Sequence, residues 1–427
     1  MKINYIHSLF LDCNSISTDT RKVSQNNLFF ALKGDNFNGN KFAKMALEKG
    51  AKYAIVDEAE YNTSSQTILV DDSLATLQAL ATYHRNYLNT PIIALTGSNG
   101  KTTTKELINA TLSQKYNTTA TVGNLNNHIG VPLTILSMTK ETEIGIVEMG
   151  ANHLKEIEFL CEIAKPDFGY ITNFGKAHLE GFGGIEGVIK GKSELYKFLM
   201  DNDKHIFLNA DDNLQKEKLN AYTKKIGFSK TDENYYNIIS TNANPFVSLK
   251  ADNVVINSNL IGEYNFTNIC AAVIIAKHFN VDINSIKKGI ENYVPTNNRS
   301  QIITKSTNKI ILDAYNANPS SMKAALSNFE NLSDSSKIVI LGDMFELGSS
   351  SEEEHQEISN LIEKLNIQQA ILVGEHFYKS TSNLDYIKRY ESFEDLKEVF
   401  DSNSYKNATI LIKGSRGMAL ERILDLL

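Results

Sequence analysis

The stretch Pro91-Ile92-Ile93-Ala94-Leu95-Thr96-Gly97-Ser98-Asn99-Gly100-Lys101-Thr102-Thr103-Thr104 decides how the rest of the chain is read. Its first five residues form an apolar run of strand length, and Thr102 to Gln114 reads as an amphipathic helix. Strand, glycine turn and helix start, in that order, make a cradle for phosphate. The glycines let the backbone turn tightly and aim N–H groups at phosphate oxygens, and the helix N-terminus adds partial positive charge. Lys101 can bridge the outer phosphates of a nucleoside triphosphate, and the Thr102 hydroxyl can bind Mg²⁺. Gly97, Ser98, Asn99, Gly100 and Thr103 complete the cradle. The spacing G-x-x-G-K-T is shorter than the general G-x-x-x-x-G-K-[ST], because Leu95 stands where the first glycine would be. The plainer reading is an ordinary glycine turn, but strand, helix, Lys and Thr are all in place.

The chain has 427 residues, room for two to four domains. Apolar residues at 42% and charged residues at 22% are ordinary for a globular protein. A net charge of -7 does not favour nucleic acid, so an anionic substrate must be held by local Lys, Arg and backbone N–H groups. Cys13, Cys161 and Cys270 lie far apart without metal-ligand spacing, which fits a reducing cytosol better than a disulfide framework. The opening MKINYIHSLFLDCNS has no signal-peptide core or cleavage site, and no apolar run reaches membrane-spanning length. The expectation is a soluble cytoplasmic chain without membrane insertion.

Working outward from the loop, apolar runs alternate with helical stretches, the mark of α/β layering. Early runs are Leu28 to Leu32, Tyr53 to Val56 and Thr67 to Val70. Asp72 to Leu88 reads as a helix capped by Asp72 or Ser73 and ended by Asn89-Thr90-Pro91. After the loop come Ile144 to Val147, Phe168 to Ile171 and His205 to Leu208. Lys224 to Ile261 is more polar and is expected to be added antiparallel structure, followed by an Ala/Ile-rich helix from Phe266 to Asn280. A second boundary falls near Val294-Pro295-Thr296. Runs at Lys309 to Leu312, Lys337 to Leu341, Ala370 to Val373 and Thr409 to Ile412 then form a Rossmann-like unit without a G-x-G-x-x-G fingerprint.

Glu148 ends one apolar strand, at the carboxyl edge where ligands of open α/β sheets gather, and can hold Mg²⁺ beside Thr102. Asn173 and His178 follow the next strand. Taken alone, His178 is more often a surface or hydrogen-bonded histidine than a ligand. Lys192 falls in the helical stretch Ile185 to Phe198, where a lysine is ordinarily a solvated residue, and nothing local singles it out.

With these residues in hand, the chain resembles the Mur ligase family over nearly its whole length. The resemblance rests on Asp19-Thr20-Arg21 with LFFALKGDNFNGNKF, on ALTGSNGKTTTKE with its short spacing, and on GNLNNHIGVPLTIL (Gly123 to Leu136). VEMGANHLKEI (Val147 to Ile157), DAYNANPSSMKAAL (Asp313 to Leu326), LGDMFELG (Leu341 to Gly348) and LIKGSRGMALE (Leu411 to Glu421) extend it. Thr20 departs from a frequent Ser, and Asn40 stands where a His is frequent.

The resemblance implies a three-domain α/β fold. It comprises a small UDP-sugar-binding domain (1–83), a central P-loop ATPase with a mostly parallel sheet (84–295) and a C-terminal Rossmann-like domain (296–427) that closes over ATP and the incoming amine. It further implies ATP as cofactor, with two Mg²⁺ ions held by Thr102, Glu148, His178 and a carbamylated Lys192. Lys101, His178 and Lys192 would be catalytic. Asn268, Arg299, Asp313 and Asn316 would join the loop in holding the nucleotide. Thr20, Arg21, Gly34, Asn38, Gly39, Asn126, Asn127, Tyr315, Asn318, Ser415 and Arg416 would meet substrates, with Lys413 beside the last two.

The motifs are nearest to the branch that joins D-Ala-D-Ala to UDP-N-acetylmuramoyl-tripeptide through an acyl phosphate, and a monomer is expected. The alternative is a sister branch that adds a diamino acid to the dipeptide precursor. It is disfavoured by YNANP standing where Asn-Pro-Arg is expected of diaminopimelate adders. Plainer readings exist for several of these residues: Arg299 as a linker charge, Asn316 to Pro319 as a helix-entry turn, and Ser415 as a helix cap.

Overall fold

The computed structural model describes residues 2–296, 298–401 and 405–427. Its strands fall chiefly into three sheets, one from each successive part of the chain. The first has four parallel strands, Ser15–Ser17, Asn27–Phe30, Tyr53–Val56 and Thr67–Leu69. Asn27–Phe30 is buried throughout because its side chains alternate between two cores. Leu28 and Phe30 face one cluster with Ile6 and Leu77, and Phe29 faces another with Ala43 and Val56.

Helix Ser73–Leu88 leads out of this unit. The Asp72 carboxylate caps it by accepting from the Ala75 N–H at 2.8 Å, and Asn89 ends it in the left-handed region at φ 54°. The helix also ties the first unit to the second. Arg85 donates to the Ala164 carbonyl and pairs with Asp167 at 2.7 Å, and the same carboxylate accepts from the Ile92 N–H.

The central sheet has seven parallel strands, in the order Tyr236–Asn237, Lys225–Ser229, His205–Asn209, Phe168–Ile171, Ile92–Thr96, Ile144–Glu148, Thr118–Ala120. Ile92–Thr96, the run that leads into the glycine loop, is therefore an interior strand, and all five residues are buried. Helices Lys101–Leu112 and Tyr264–His278 share the core on one face, through Leu107, Ile108, Ile269 and Val273. Tyr264–His278 buries residues on every side, which explains its near-continuous apolar sequence.

Two expectations need correction. Lys224 to Ile261 is not uniformly antiparallel. Lys225–Ser229 follows helix Asn213–Lys218 in a crossover and so extends the parallel sheet. Only Ile239–Asn242, Phe246–Ala251 and Val254–Ile261 form an antiparallel sheet. The helix expected from Ile185 to Phe198 is two, Ile185–Lys192 and Glu194–Asp201. At Ser193 ψ opens to -9° and the hydroxyl bonds back to the Ile189 carbonyl at 2.6 Å, a known helix disturbance.

The third sheet orders Gln301–Lys305, Asn308–Asp313, Thr409–Lys413, Lys337–Gly342, Gln369–Val373 and Ile387–Tyr390, parallel except for its first strand. Among the described residues, no helix is long and apolar enough to cross a membrane.

Where the first helix, Ile3–Leu11, meets Ser73–Leu88, His7 Nε2 lies 3.0 Å from His84 Nδ1, and His84 Nε2 lies 3.0 Å from the Met138 carbonyl. Burial lowers both imidazole pKa values, and mutual repulsion lowers that of His7 further. A histidine with a depressed folded pKa stabilises the fold above its ordinary value of 6.5. That stability is lost as pH falls from there through the folded value. The melting temperature should therefore drop between about pH 7 and pH 5.5, and drop less in His7→Phe. Equal pH slopes in the two proteins would clear this pair of any role.

Candidate active site

The glycine loop is held by the end of the neighbouring strand. Ser98 N–H donates to the Asn173 carbonyl at 3.0 Å, Asn99 N–H to Asn173 Oδ1 at 3.0 Å, and the Thr172 hydroxyl to the Asn99 carbonyl at 2.6 Å. The Ser98 hydroxyl reaches the Gly175 carbonyl at 2.8 Å. Gly97 has φ 142°, and a Cβ there would stand 2.0 Å from Thr172 Oγ1. At Gly100, φ is 79° and a Cβ would meet the Asn268 amide at 2.6 Å. Both glycines are thus required by backbone shape and by close approach.

A cleft of about 920 Å³ opens over this loop. Ser98, Asn99, Gly100, Lys101, Thr102 and Thr103 line its floor, and Glu148, Asn126, Asn127 and His178 its sides. Asn268, Arg299, Asp313, Tyr315, Asn316, Asn318 and Lys413 complete it from helix Tyr264–His278 and the third unit. Lys101 Nζ folds back to the Gly97 carbonyl at 2.8 Å. Burial lowers its pKa, Glu148 opposes that, and Arg299 adds to it.

Glu148 is 1% exposed. Its Oε1 accepts from Asn126 Nδ2 at 2.8 Å, while its Oε2 is buried without a partner. An orphaned carboxylate oxygen inside a protein is costly unless something positive meets it. Together with the Thr102 hydroxyl in the same cleft it makes a hard oxygen donor pair of the kind Mg²⁺ takes. The residues therefore fit one divalent ion. No cluster of three or more His, Cys, Asp or Glu metal ligands occurs among the described residues.

Lys192 is not the solvated residue its helical position suggested. It is fully buried, its Nζ donating to the Ala151 carbonyl at 2.9 Å and lying 5.0 Å from the Phe182 ring centre. Ala151 itself lines the cleft, so the amine sits directly behind the wall. Burial, reinforced by Lys101, pushes its pKa well down. His178 adopts φ 52° at the start of helix Leu179–Phe182, and its Nδ1 pairs with Glu346 from the third unit. That imidazole holds the Glu346 carboxyl below its usual range.

The third unit reaches into the loop directly. Asn318 caps helix Pro319–Glu330 with its Oδ1, as the helix-entry reading has it, and donates its Nδ2 to Asn99 Oδ1 at 2.7 Å. Arg299 stacks on Tyr315 with 3.7 Å between guanidinium and ring centre, and is not a free linker charge. Asp313 takes the Ser300 N–H at 2.9 Å and Lys413 Nζ at 2.6 Å. Asn268 spends its amide on Thr104 and Asn265.

Other expected residues lie apart from the cleft lining. Ser415 is buried and accepts from the Phe345 N–H at 2.9 Å instead of capping the next turn. Arg416 is exposed and paired with Glu421 at 2.8 Å. Thr20 and Arg21 lie in a turn after Ser15–Ser17, Gly34 and Asn38 in the small antiparallel hairpin Lys33–Gly34/Phe37–Asn38, and Gly39 starts the short helix Gly39–Phe42. Arg21 pairs with Asp19, and Asn38 bonds Glu58 and Asn40. Asn40 is buried against Asp57 at 2.7 Å. Sequence reading passed over Thr172, whose place beside the loop follows only from strand order. It also passed over Glu346, which lies 168 residues from its partner His178 and so gave no local signal.

An α/β sheet carrying a phosphate cradle, a buried carboxylate at the next strand end and a second α/β unit folded onto that cradle defines a nucleotide-using enzyme. Family descriptions match in three segments: "Mur ligase family, catalytic domain" over residues 12–85, "Mur ligase middle domain" over 95–276 and "Mur ligase, glutamate ligase domain" over 298–416. The chain is 35% identical to UDP-N-acetylmuramoyl-tripeptide--D-alanyl-D-alanine ligase of Bacillus subtilis (strain 168), covering 96% of this chain and 92% of that protein. The crystal structure of MurF from Acinetobacter baumannii superposes with a TM-score of 0.86 at 27% identity, covering 100% of this chain and 98% of that one. MurF ligase from Thermotoga maritima in complex with ADP superposes at 0.83 and 26% identity, covering 98% and 97%. The chain belongs to the Mur ligase family.

Glu148→Gln keeps an acceptor for Asn126 and removes the unpaired charge. It should leave the melting temperature unchanged or higher and weaken metal-dependent ADP binding by roughly 10–100-fold. Calorimetry with ADP and Mn²⁺ checks this, and parent-like affinity would exclude Glu148 as a ligand.

Proposed function

We propose that this chain joins D-Ala-D-Ala to UDP-N-acetylmuramoyl-tripeptide at the expense of ATP, through an acyl phosphate, in the cytoplasm and as a monomer. The observation that carries the chemistry is the buried, half-unpartnered Glu148 carboxylate beside Thr102 and Lys101 in one cleft. The substrate reading is supported by the full-length likeness to relatives named for that reaction, and the diamino-acid alternative is not favoured. We place the domain limits at 1–83, 84–295 and 296–427, a division that the grouping of strands into three sheets supports.

A carboxylate resists attack because it has no good leaving group. Moving the γ-phosphoryl onto it supplies one, and such transfer needs alignment and charge neutralisation above all. Lys101 and the N–H groups at the start of helix Lys101–Leu112 hold the phosphates. Arg299, aligned by Tyr315, brings a second positive charge from the third domain. The Asn99–Asn318 and His178–Glu346 contacts hold that domain down on the loop, which keeps water from the reactive intermediate. Thr102 and Glu148 would hold one Mg²⁺, and His178 with Lys192 would serve a second. These ions would neutralise phosphate charge and the oxyanion formed when the dipeptide amine attacks.

Lys192 bears on the second ion. Burial lowers its pKa and so favours the unprotonated amine, the form that can add CO₂ to give a carbamate and release one proton. The product is a carboxylate-like anion beside Ala151.

Phosphate release from ATP should require both the UDP-muramoyl tripeptide and D-Ala-D-Ala, and release driven by a free diamino acid would point to the sister reaction. Lys192→Ala should lose ligation by at least about tenfold and recover part of it with added short carboxylates such as formate. No recovery at any concentration would count against the carbamate.

A further inference from the structure

Lys105 lies inside the helix that starts at the phosphate loop, yet its side chain is 0% exposed. A lysine so placed needs a reason, because an ammonium is rarely withdrawn from water without specific partners. Its Nζ donates to Glu106 Oε1 at 2.6 Å and to the Thr121 carbonyl at 2.5 Å.

Thr121 is the point where the edge strand Thr118–Ala120 turns into the asparagine loop of the cleft. Each of its polar groups is used. Its N–H donates to the Ile146 carbonyl at 2.9 Å, its hydroxyl accepts from the Glu148 N–H at 3.0 Å, and its carbonyl takes the lysine. Beyond it, Asn126 returns to hold Glu148 from the other side, with Nδ2 on Oε1 at 2.8 Å and its carbonyl accepting from the Gly150 N–H at 2.7 Å. The main chain and the carboxylate of Glu148 are thus both fixed by one short segment. Lys105 fastens the start of that segment to the helix carrying Lys101 and Thr102.

We propose that Lys105 is a positioning residue for the Glu148 carboxylate, acting through Thr121 to set the spacing between the two oxygen donors of Glu148 and Thr102. This rests on the reading of those two residues as a divalent-cation site. A buried ammonium suits the task because it bonds a carbonyl strongly in a medium of low polarity, and its stem spans from one element to the next. Groups behind a metal site that orient its ligands commonly alter affinity or activity by 10–100-fold.

The test uses the full-length chain, Mn²⁺ as a paramagnetic substitute for Mg²⁺, and ADP. In Lys105→Met, half-saturation by Mn²⁺ in the presence of ADP, read by electron paramagnetic resonance, should rise roughly tenfold, while ADP affinity in EDTA stays at the parent's value. The Mg²⁺ concentration needed for half-maximal ligation should rise in step. Thr121→Val, which removes the hydroxyl and keeps the shape, should behave alike, and the double variant should be little worse than either single one. A folded Lys105→Met with parent-like Mn²⁺ uptake overturns the proposal. If that variant does not fold, parent-like uptake in Thr121→Val overturns it instead. A parent chain that takes up no Mn²⁺ with ADP would remove the cation site itself, and this proposal with it.

Discussion

The grip of the Phe168–Ile171 strand end on the glycine loop is the contact on which everything else in this protein depends. Thr172 and Asn173 hold the backbone of Ser98 and Asn99 by hydrogen bonds, and the Gly175 carbonyl holds the Ser98 hydroxyl. That grip exists only because the two strands are parallel neighbours in the middle of the sheet. It is also why Gly97 can carry no side chain. With the loop fixed, the start of helix Lys101–Leu112 is set against the cleft. The third domain then has a defined surface to dock on, through Asn99.

Much of the fold was legible. Buried interior strands such as Ile92–Thr96 and Lys337–Gly342 carry four consecutive apolar residues, Ile92 to Leu95 and Ile338 to Leu341, so their runs stand out from the sequence. The Asp72 cap and the Asn89 stop follow from local chemistry. What misled was polarity. Lys225–Ser229 alternates charge and apolarity, as an antiparallel strand does, but a parallel strand near a sheet edge does the same, and only the preceding helix decides its direction. The break at Ser193 was invisible because both halves keep helical spacing.

The site divides in the same way. The loop, Thr102 and Glu148 stand out from spacing and strand ends, because the glycine turn and the neighbouring strand bring them to one cleft. Lys192 could not. Its environment is made by Ala151, Phe182 and Lys101, which come from separate elements, and only the family resemblance drew attention to it. The Glu346 contact to His178 is non-local in the same sense. Burial and long-range pairing, rather than residue type, separate these side chains from the many lysines and glutamates that are merely solvated.

The amide pair between Asn99 and Asn318 has a mechanical consequence. One residue shapes the nucleotide loop and the other starts a helix in a different domain, yet a single hydrogen bond is shared between them. Loss of either amide would leave the other without its partner at this seam, so two positions 219 residues apart act as one latch between the units.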